Sequence, residues 1–489
     1  MIVRSDIPQE VQFVSDTLES AGFEAYLVGG CVRDLHIGKT PKDWDLTTNA
    51  TPEKIENLFE DTFSNNDYGT VGVVHEDAEE SLKVIEVTPY RTESGYSDSR
   101  RPDTVTFGVS LEEDLKRRDF TVNALAYRLK DEIVVDLFGG VDDIAEKRLR
   151  AVGVPSKRFE EDALRMMRAV RLAVELDFVI AGETMEAISE NSANLGRISK
   201  ERIRDELVRV LQSKNPMQGI IFFEKLGILE YIAPDLLRSI GIDQNQAHAF
   251  DVYEHLLRTL QHAADKDWSL TIRLAALFHD IAKPETRRWS DEKGEWTFHG
   301  HEVVGAKVTK RALKDLKFPR ETVEKVTKLV RWHMFFSDPD EITLSAVRRT
   351  IVNVGEEHIW NLLKLRRCDR IGTGRPKEQP FRLRKYIAMV EEALRDPISV
   401  KMLKIHGDRI MEITSEKPSK KIGDTLHALL EEVLDDPTKN TATYLENRAT
   451  ELMQMDAETL AALGDKGKEK RDAEEAAELK TIRRKNKVG

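Results

Sequence analysis

Hydrophobic positions change their period once along the chain. Over the first 150 or so residues, helical and strand patterns alternate. Val11, Val14 and Leu18 recur at helical spacing, whereas "AYLVG" (25–29) and "LKVIEVT" (82–88) are short apolar runs of the kind that form strands. "TPEKIENLF" (51–59) carries a helix start, with Thr51 as the cap, Pro52 in the first turn and Glu53 beside it. From about residue 160 onward strand signals vanish. Amphipathic stretches such as "DALRMMRAVRLAVEL" (162–176), "IRDELVRVL" (203–211) and "IGDTLHALLEEVL" (422–434) take over. The pattern predicts an α+β head on an all-helical remainder. No fixed-period repeat is visible, and the one biased segment, the charged stretch from about 465, is expected to be helical or disordered.

At 489 residues the chain exceeds one ordinary core, and three or four domains are expected. No window holds the roughly 18 to 20 uncharged apolar residues of a membrane span. The start "MIVRSDIPQEVQF" lacks an export-signal pattern, so the cytoplasm is the expected location. Cys31 and Cys368 sit in unrelated patterns and suggest neither a disulfide nor a thiolate metal site. Any metal must then be held by His, Asp and Glu. A net charge of -12, from 75 Lys plus Arg against 87 Asp plus Glu, argues against nonspecific binding of polyanions over the whole surface. Local basic segments remain. Residues 366–386 hold eight basic residues against two acidic ones, and Arg483, Arg484, Lys485 and Lys487 lie near the end of the chain.

The segment "YLVGGCVRDLHIGKTPKDWDL" (26–46) concentrates the chemistry. In a strand, side chains i and i+2 share a face, so Asp43 and Asp45 of "KDWDL" should point one way and Trp44 and Leu46 the other. Two close carboxylates repel unless a cation lies between them, and hard oxygen ligands of this kind suit Mg²⁺ completed by water and phosphate oxygens. Gly29 and Gly30, after the strand, let backbone N–H groups approach a phosphate. Together these features predict a nucleoside triphosphate bound through Mg²⁺.

Four motifs in order, "GGCVRD" (29–34), "KDWDL" (42–46), "RRDFTVNALAY" (117–127) and "EDALRMMRA" (161–169), resemble those of the class II tRNA nucleotidyltransferases and their bacterial poly(A) polymerase relatives. The resemblance continues through "ISKERIRDEL" (198–207) and "IGDTLHALLEEVLDDPTKNT" (422–441), the latter similar to the carboxyl end of bacterial CCA-adding enzymes. It implies a polymerase-β-like head (1–150), a helical neck with a base-selecting helix (151–240), an HD domain (241–372) and a helical, tRNA-binding tail (373–489) with a charged extension. By the same resemblance, Asp43 and Asp45 hold two Mg²⁺ ions, with Glu86 as a third acidic candidate. Arg33 and Asp34 orient the triphosphate and local structure. "RRDFTVNALAY", read as opening a helix, supplies Arg118, Asp119 and Asn123 to the triphosphate and ribose; an ordinary N-cap is the plain reading of Asp119.

Asp162 and Arg165, three apart on a helix, should lie on one face, with Arg168 following as a further nucleotide-binding candidate. A carboxylate accepts from an exocyclic amine and a guanidinium donates to ring acceptors, so the pair would accept C and A and reject U and G without a nucleic acid template. The plain alternative is an i,i+3 surface ion pair. Leu172 stands where the family commonly has an aromatic residue. The polar segment 91–107 is expected to be a mobile surface loop; in the family the corresponding loop permits the change from CTP to ATP.

Among twelve His, a set consisting of His255, His279, Asp280, His301, His333 and Asp369 resembles the ligands of an HD domain. Imidazole with carboxylate favours Mn, Fe, Ni or Co, with Mg as an alternative. Four of the six suffice for one ion, and His301 and His333 resemble the binuclear version. His299 is either ligand-adjacent or merely exposed. The expected function is addition of CCA to tRNA 3' ends from CTP and ATP, with no membrane and no obligatory protein partner. An A-adding enzyme or a poly(A) polymerase shares the fold. An HD-type phosphohydrolase with a degenerate head, or a noncatalytic RNA-binding protein, are the alternatives of other classes.

Overall fold

A computed structural model describes residues 2–65, 69–94, 104–244, 249–335, 342–395, 399–456, 459–460 and 463. The chain divides into two compact units. One is Met1–Leu237 with Asp315–Lys317, and the other is Arg238–Lys314 with Phe318–Gly489.

The first unit is built on a seven-stranded sheet. Its strands are β1 (Ala25–Val28), β2 (Asp45–Thr48), β3 (Thr62–Asn65), β4 (Thr70–Val74) and β5 (Val84–Pro89), and, after a separate hairpin of β6 (Arg91–Ser94) and β7 (Thr104–Phe107), β8 (Leu125–Arg128) and β9 (Ile133–Asp136). The order across the sheet is β3-β4-β5-β2-β1-β8-β9. β2 and β5 run parallel and the other sheet pairs antiparallel. The chemistry-bearing strand is therefore central. Ile85 and Val87 of β5 are buried while Glu86 faces outward, the alternation that one covered face imposes. The expected helix over Val11, Val14 and Leu18 runs Gln9–Ser20 and buries all three. The expected loop 91–107 is a hairpin at both ends, because β6 and β7 pair from Arg91↔Phe107 to Ser94↔Thr104; the residues between them lie outside the described ones.

Beyond residue 150 the chain is mainly helical, with two departures from the all-helical expectation. β10 (Arg148–Leu149) pairs in parallel with β11 (Val179–Ile180), and β12 (Arg288–Ser290) forms a hairpin with β13 (Glu295–Thr297). Both strand pairs are two or three residues deep, too short to register as a periodic signal. The helix Leu164–Leu176 packs on the helix Lys200–Gln212 through an apolar stripe including Met167, Val170, Ile203, Leu207 and Val210. Within that interface Arg171 Nε lies 2.9 Å from Glu206 Oε2, with both side chains buried. The charged segment from 465 lies outside the described residues.

A buried pair of this kind is costly to break and cheap to replace whole. Glu206→Ala should lower stability by about 3 kcal/mol, seen as a lower urea midpoint of the first unit. Glu206→Leu combined with Arg171→Met should recover most of the loss.

Candidate active site and metal centre

The head site is organised by register. Asp45 on β2 stands directly opposite Glu86 on β5, and Glu86 stands opposite Gly72 on β4. Two carboxylates are thus set side by side on one face. Asp43 lies just before β2, not within it, so it shares the site from a bend and not from the strand as expected. Trp44 and Leu46 are buried, as the alternation requires, and the Trp44 carbonyl accepts from the Glu86 N–H at 3.2 Å, extending the ladder toward Asp43. Burial, then Glu86, pushes the Asp45 carboxyl up to about 6, with Arg118 opposing and Asp43 reinforcing the rise.

Gly29 ends β1 with φ 79°. A Cβ there would stand 3.2 Å from Arg118 Nη1 and 4.0 Å from Asp45 Oδ2, so the glycine lets the backbone, the guanidinium and the carboxylate converge. Gly30 opens the helix Gly30–His36. From that helix Arg33 donates to Asp34 Oδ1 through Nε (2.9 Å) and Nη2 (2.7 Å), and to Asn123 Oδ1 through Nη1 (2.6 Å). Three of its five N–H donors are thus committed within the protein.

"RRDFTVNALAY" does not open a helix. Arg117 closes the short helix Leu111–Lys116, Thr121–Asn123 is one 3-10 turn, and β8 follows. Leu125, Ala126 and Tyr127 are fully buried, because β8 is paired on both sides; tertiary burial overrides the local pattern. Asp119 consequently caps no α-helix. Its Oδ1 accepts from the Phe120 N–H (2.9 Å) and lies 3.5 Å from Asn123 Nδ2, while Oδ2 accepts from Arg168 Nε (2.8 Å). Burial alone would raise its carboxyl, but Arg168 and then Arg165 pull it down to about 2.

Asp162 and Arg165 do not share one helix. Asp162 is the C-cap of the helix Pro155–Glu161 with φ -143°, and the next helix begins at Leu164. Nor do they pair with each other. Asp162 accepts from the Leu164 N–H (3.0 Å) and from Arg202 Nη2 (2.7 Å). Arg165 pairs with Glu161 and donates to the carbonyls of Arg158 (3.1 Å) and Arg117 (3.2 Å). The plain alternative, an i,i+3 ion pair between them, is not formed. Leu172 is buried in the neck helix.

In the second unit, six side chains converge. His255 comes from the helix Val252–Asp265, Asp369 from Glu356–Gly372, and His301 begins His301–Asp315. His279 and His333 cap the helices Leu270–Phe278 and Arg320–Trp332, and Asp280 follows His279. Asp280 sits between two sets. Its Oδ2 lies 3.2 Å from His255 Nε2 and 3.3 Å from His279 Nε2; its Oδ1 lies 3.1 Å from His301 Nε2 and 3.4 Å from His333 Nε2. Asp369 Oδ1 is 3.4 Å from His255 Nε2. Among the described residues, His255, His279 and Asp369 form one buried candidate metal group and Asp280, His301 and His333 a second. His279, His301 and His333 hold their Nδ1 at 2.6–2.9 Å from the carbonyls of Ala276, Phe298 and Val330. Nδ1–H donation there leaves each Nε2 lone pair for a metal. Despite burial, Asp280 is held well below the usual carboxylate range by Lys283 and His279, and Asp369 is held low by His279 and Arg366. Two buried carboxylates and four imidazoles converging in this way form a donor set that fits a divalent ion. His299 is exposed and belongs to neither group.

The sequence profile of the poly A polymerase head domain matches residues 25–150, that of the HD domain 252–367, and that of the probable RNA and SrmB-binding site of polymerase A 177–239. A CCA-adding enzyme of Pediococcus pentosaceus is 32% identical over 92% of this chain and 100% of its own length. That of Lactobacillus helveticus is 35% identical over 90% and 96%. The chain belongs to the CCA-adding enzyme family. In structure it is similar to the Bacillus stearothermophilus CCA-adding enzyme in complex with CTP, with a TM-score of 0.64 and 26% identity over 91% of this chain and 98% of that one. Enzymes of this family use divalent metal ions, and this member carries candidate ligand groups for them. No helix among the described residues is long and apolar enough to cross a membrane.

Sequence reasoning missed several partners. Asp114, wholly buried, accepts from Arg117 Nη2 (2.7 Å) and Arg118 Nη2 (3.2 Å) and holds both arginines of the motif. Its i,i+3 and i,i+4 spacing to them is visible in "EEDLKRRDF". Arg202, forty residues from Asp162, has no local signal.

The raised Asp45 carboxyl sets a pH dependence. The folded, metal-free chain retains a proton between about pH 4 and pH 6 that the unfolded chain releases, so this group's contribution to stability falls as pH rises through that window. A divalent cation should therefore raise the thermal midpoint of the first unit more at pH 7 than at pH 5, and Asp45→Asn should flatten the difference.

Proposed function

We propose that this chain builds and repairs the 3'-terminal CCA of tRNA from CTP and ATP in the cytoplasm, releasing pyrophosphate. The observation that carries this reading is the Asp45 and Glu86 pair, set beside Arg118 and the Gly29 turn, in a chain that spans the full length of a CCA-adding relative. Asp43, Asp45 and Glu86 would hold Mg²⁺, which when bound activates the RNA 3'-hydroxyl and neutralises the leaving pyrophosphate. Gly29 and Gly30 admit the triphosphate close to the backbone. Arg118 supplies positive charge where the phosphates enter, and Arg33, locked by Asp34 and Asn123, fixes that wall of the site. Asp119 binds Arg168 and so fixes the neck helix against the triphosphate corner.

Base choice falls to Asp162 and Arg165, whose partners Arg202 and Glu161 hold them in place before a base arrives. Their donor and acceptor types select C and A over U and G. We assign the division of labour as head 1–150, neck 151–240, HD domain 241–372 and tail 373–489, with tRNA read by shape and backbone charge.

One tRNA transcript ending at the discriminator base, at C and at CC, given each NTP singly and CTP with ATP, tests the reading on a gel. CTP should add two residues and ATP then one. Addition of A only to the CC form would instead mark an A-adding enzyme, and a long ATP ladder a poly(A) polymerase. Asp45→Ala should lower the rate at least a thousandfold, about 4 kcal/mol of barrier, with the HD centre's metal content unchanged.

A second reading belongs to the HD centre, because Asp280 presents one carboxylate oxygen to each histidine set. The six ligands would hold two divalent ions of the Mn, Fe, Ni, Co or Mg class. Bound there, the metal supplies an activated water for hydrolysis of phosphomonoesters or 2',3'-cyclic phosphates. Elemental analysis should find tightly held divalent metal in the purified chain. Asp280→Ala should release all of it, whereas His333→Ala should lose about half, since two ligand sets share that one carboxylate. Unchanged metal content in Asp280→Ala would reject the assignment.

A further inference from the structure

Between the ligands Asp280 and His301 the chain makes the two-stranded hairpin of β12 and β13. A hairpin this short has little stability of its own. It nonetheless carries two tryptophans directly opposite each other, Trp289 and Trp296, with ring centres 5.2 Å apart and planes at 75°. Arg287 lies over the Trp296 ring at 3.8 Å, which fixes that ring. Trp289 is left 52% exposed. It lines a cavity of about 460 Å³ together with Glu285, Thr286, Arg288, Ser290, Thr297, His299 and Val304.

Both ends of the hairpin are tied to the metal centre. The Phe298 carbonyl, one residue past β13, holds the ligand His301 at 2.6 Å. Lys283 Nζ, 2.6 Å from Asp280 Oδ2, lies 5.5 Å from the Phe298 ring centre. Thr286 ends the short helix Lys283–Thr286 that follows Asp280, and Val304 stands three residues after His301 on one helix, about 5 Å of rise. The cavity's lining therefore begins one helical turn from the ligand His301. It offers an aromatic face, a guanidinium and hydroxyls, the groups that bind an unpaired nucleobase by stacking and edge hydrogen bonds, and the Glu285 carboxylate, an acceptor for an exocyclic amine.

We infer that the hairpin is a base-stacking platform, with Trp289 as its face, through which the HD centre takes ribonucleotide phosphomonoesters or cyclic phosphates in preference to phosphate esters without a base. This rests on the reading of the HD centre as a hydrolytic site. Stacking contributes to ground-state binding, so its signature is in KM and not in kcat.

The test compares the full-length, metal-loaded chain with Trp289→Ala and Trp289→Phe on two substrates, 2',3'-cyclic AMP and the base-less glycerol cyclic phosphate. Trp289→Ala should raise the KM for the nucleotide at least tenfold more than that for glycerol cyclic phosphate, and Trp289→Phe should restore most of the difference. An equal shift for both substrates, or none for the nucleotide, would overturn the platform. Calorimetric titration with adenosine 3'-monophosphate separates the two levels of the proposal. If the wild type hydrolyses neither substrate yet binds this nucleotide in a Trp289-dependent way, the hydrolytic reading fails and the platform stands. If binding is absent, or identical in Trp289→Ala, the platform is wrong whatever the centre hydrolyses.

Discussion

The first unit depends on one buried carboxylate. Asp119 is ionised and almost wholly enclosed, and a charge in that position is tolerable only because Arg168 meets it at 2.6 Å and the Phe120 N–H at 2.9 Å. The same group links through Asn123 to Arg33, whose guanidinium also grips Asp34. The glycine-turn helix, the motif before β8 and the neck helix are thereby joined by charge-assisted bonds at one point. Apolar packing could hold the same elements together, but it would not fix the direction of Arg33 or Arg168 to a few tenths of an ångström. Directional contacts are what a site that must place phosphates requires.

Asp45 shows the opposite arrangement in the same head. Its nearest charges include Glu86 and Asp43, so burial and repulsion both raise its carboxyl, and Arg118 offsets only part of that. Arg118 is itself shared with the wholly buried Asp114. Negative charge is thus balanced at Asp119 and in excess at Asp45. At the HD centre Asp280 and Asp369 are balanced in a third way, held low by Lys283, Arg366 and His279, while the donor atoms converge in two groups. In the head, the balanced carboxylate fixes structure and the unbalanced one is where a cation would be bound.

What could be read from the sequence follows from this distinction. Groups placed by side-chain type and short spacing were legible: the strand carrying Glu86 forms, the glycine turn follows β1, and the six candidate HD residues come together. The helices over 9–20, 200–212 and 420–435 followed from their apolar periods. Long-range pairing was not legible. "RRDFTVNALAY" has the composition of a helix start, but becomes a turn and a strand because β1 and β9 are already positioned to pair with β8. The stretch 162–176 has an unbroken helical period, yet the chain turns at Asp162 because Arg202 and the Leu164 N–H bind its carboxylate outside a helix. Arg202 is forty residues away, and no window of sequence contains both partners.

That turn changes how the pair proposed to select the base would work. On one continuous helix, Asp162 and Arg165 would sit at a spacing set by the backbone alone. Here each is held from a different side. Asp162 is tied to Arg202 on the helix Lys200–Gln212, whereas Arg165 reaches the Arg117 carbonyl next to the motif that holds Asp114 and Asp119. The separation of the two side chains is therefore a function of how the neck helices pack on the head's motif, not of helical geometry. A shift of a few tenths of an ångström along that packing would alter which base edge fits both groups at once, since hydrogen bonds weaken steeply with distance and angle. Under the proposed assignment, selection between C and A would be coupled to what occupies the triphosphate corner, through Arg117 on one side and the Asp119 clamp on Arg168, one helical turn from Arg165, on the other.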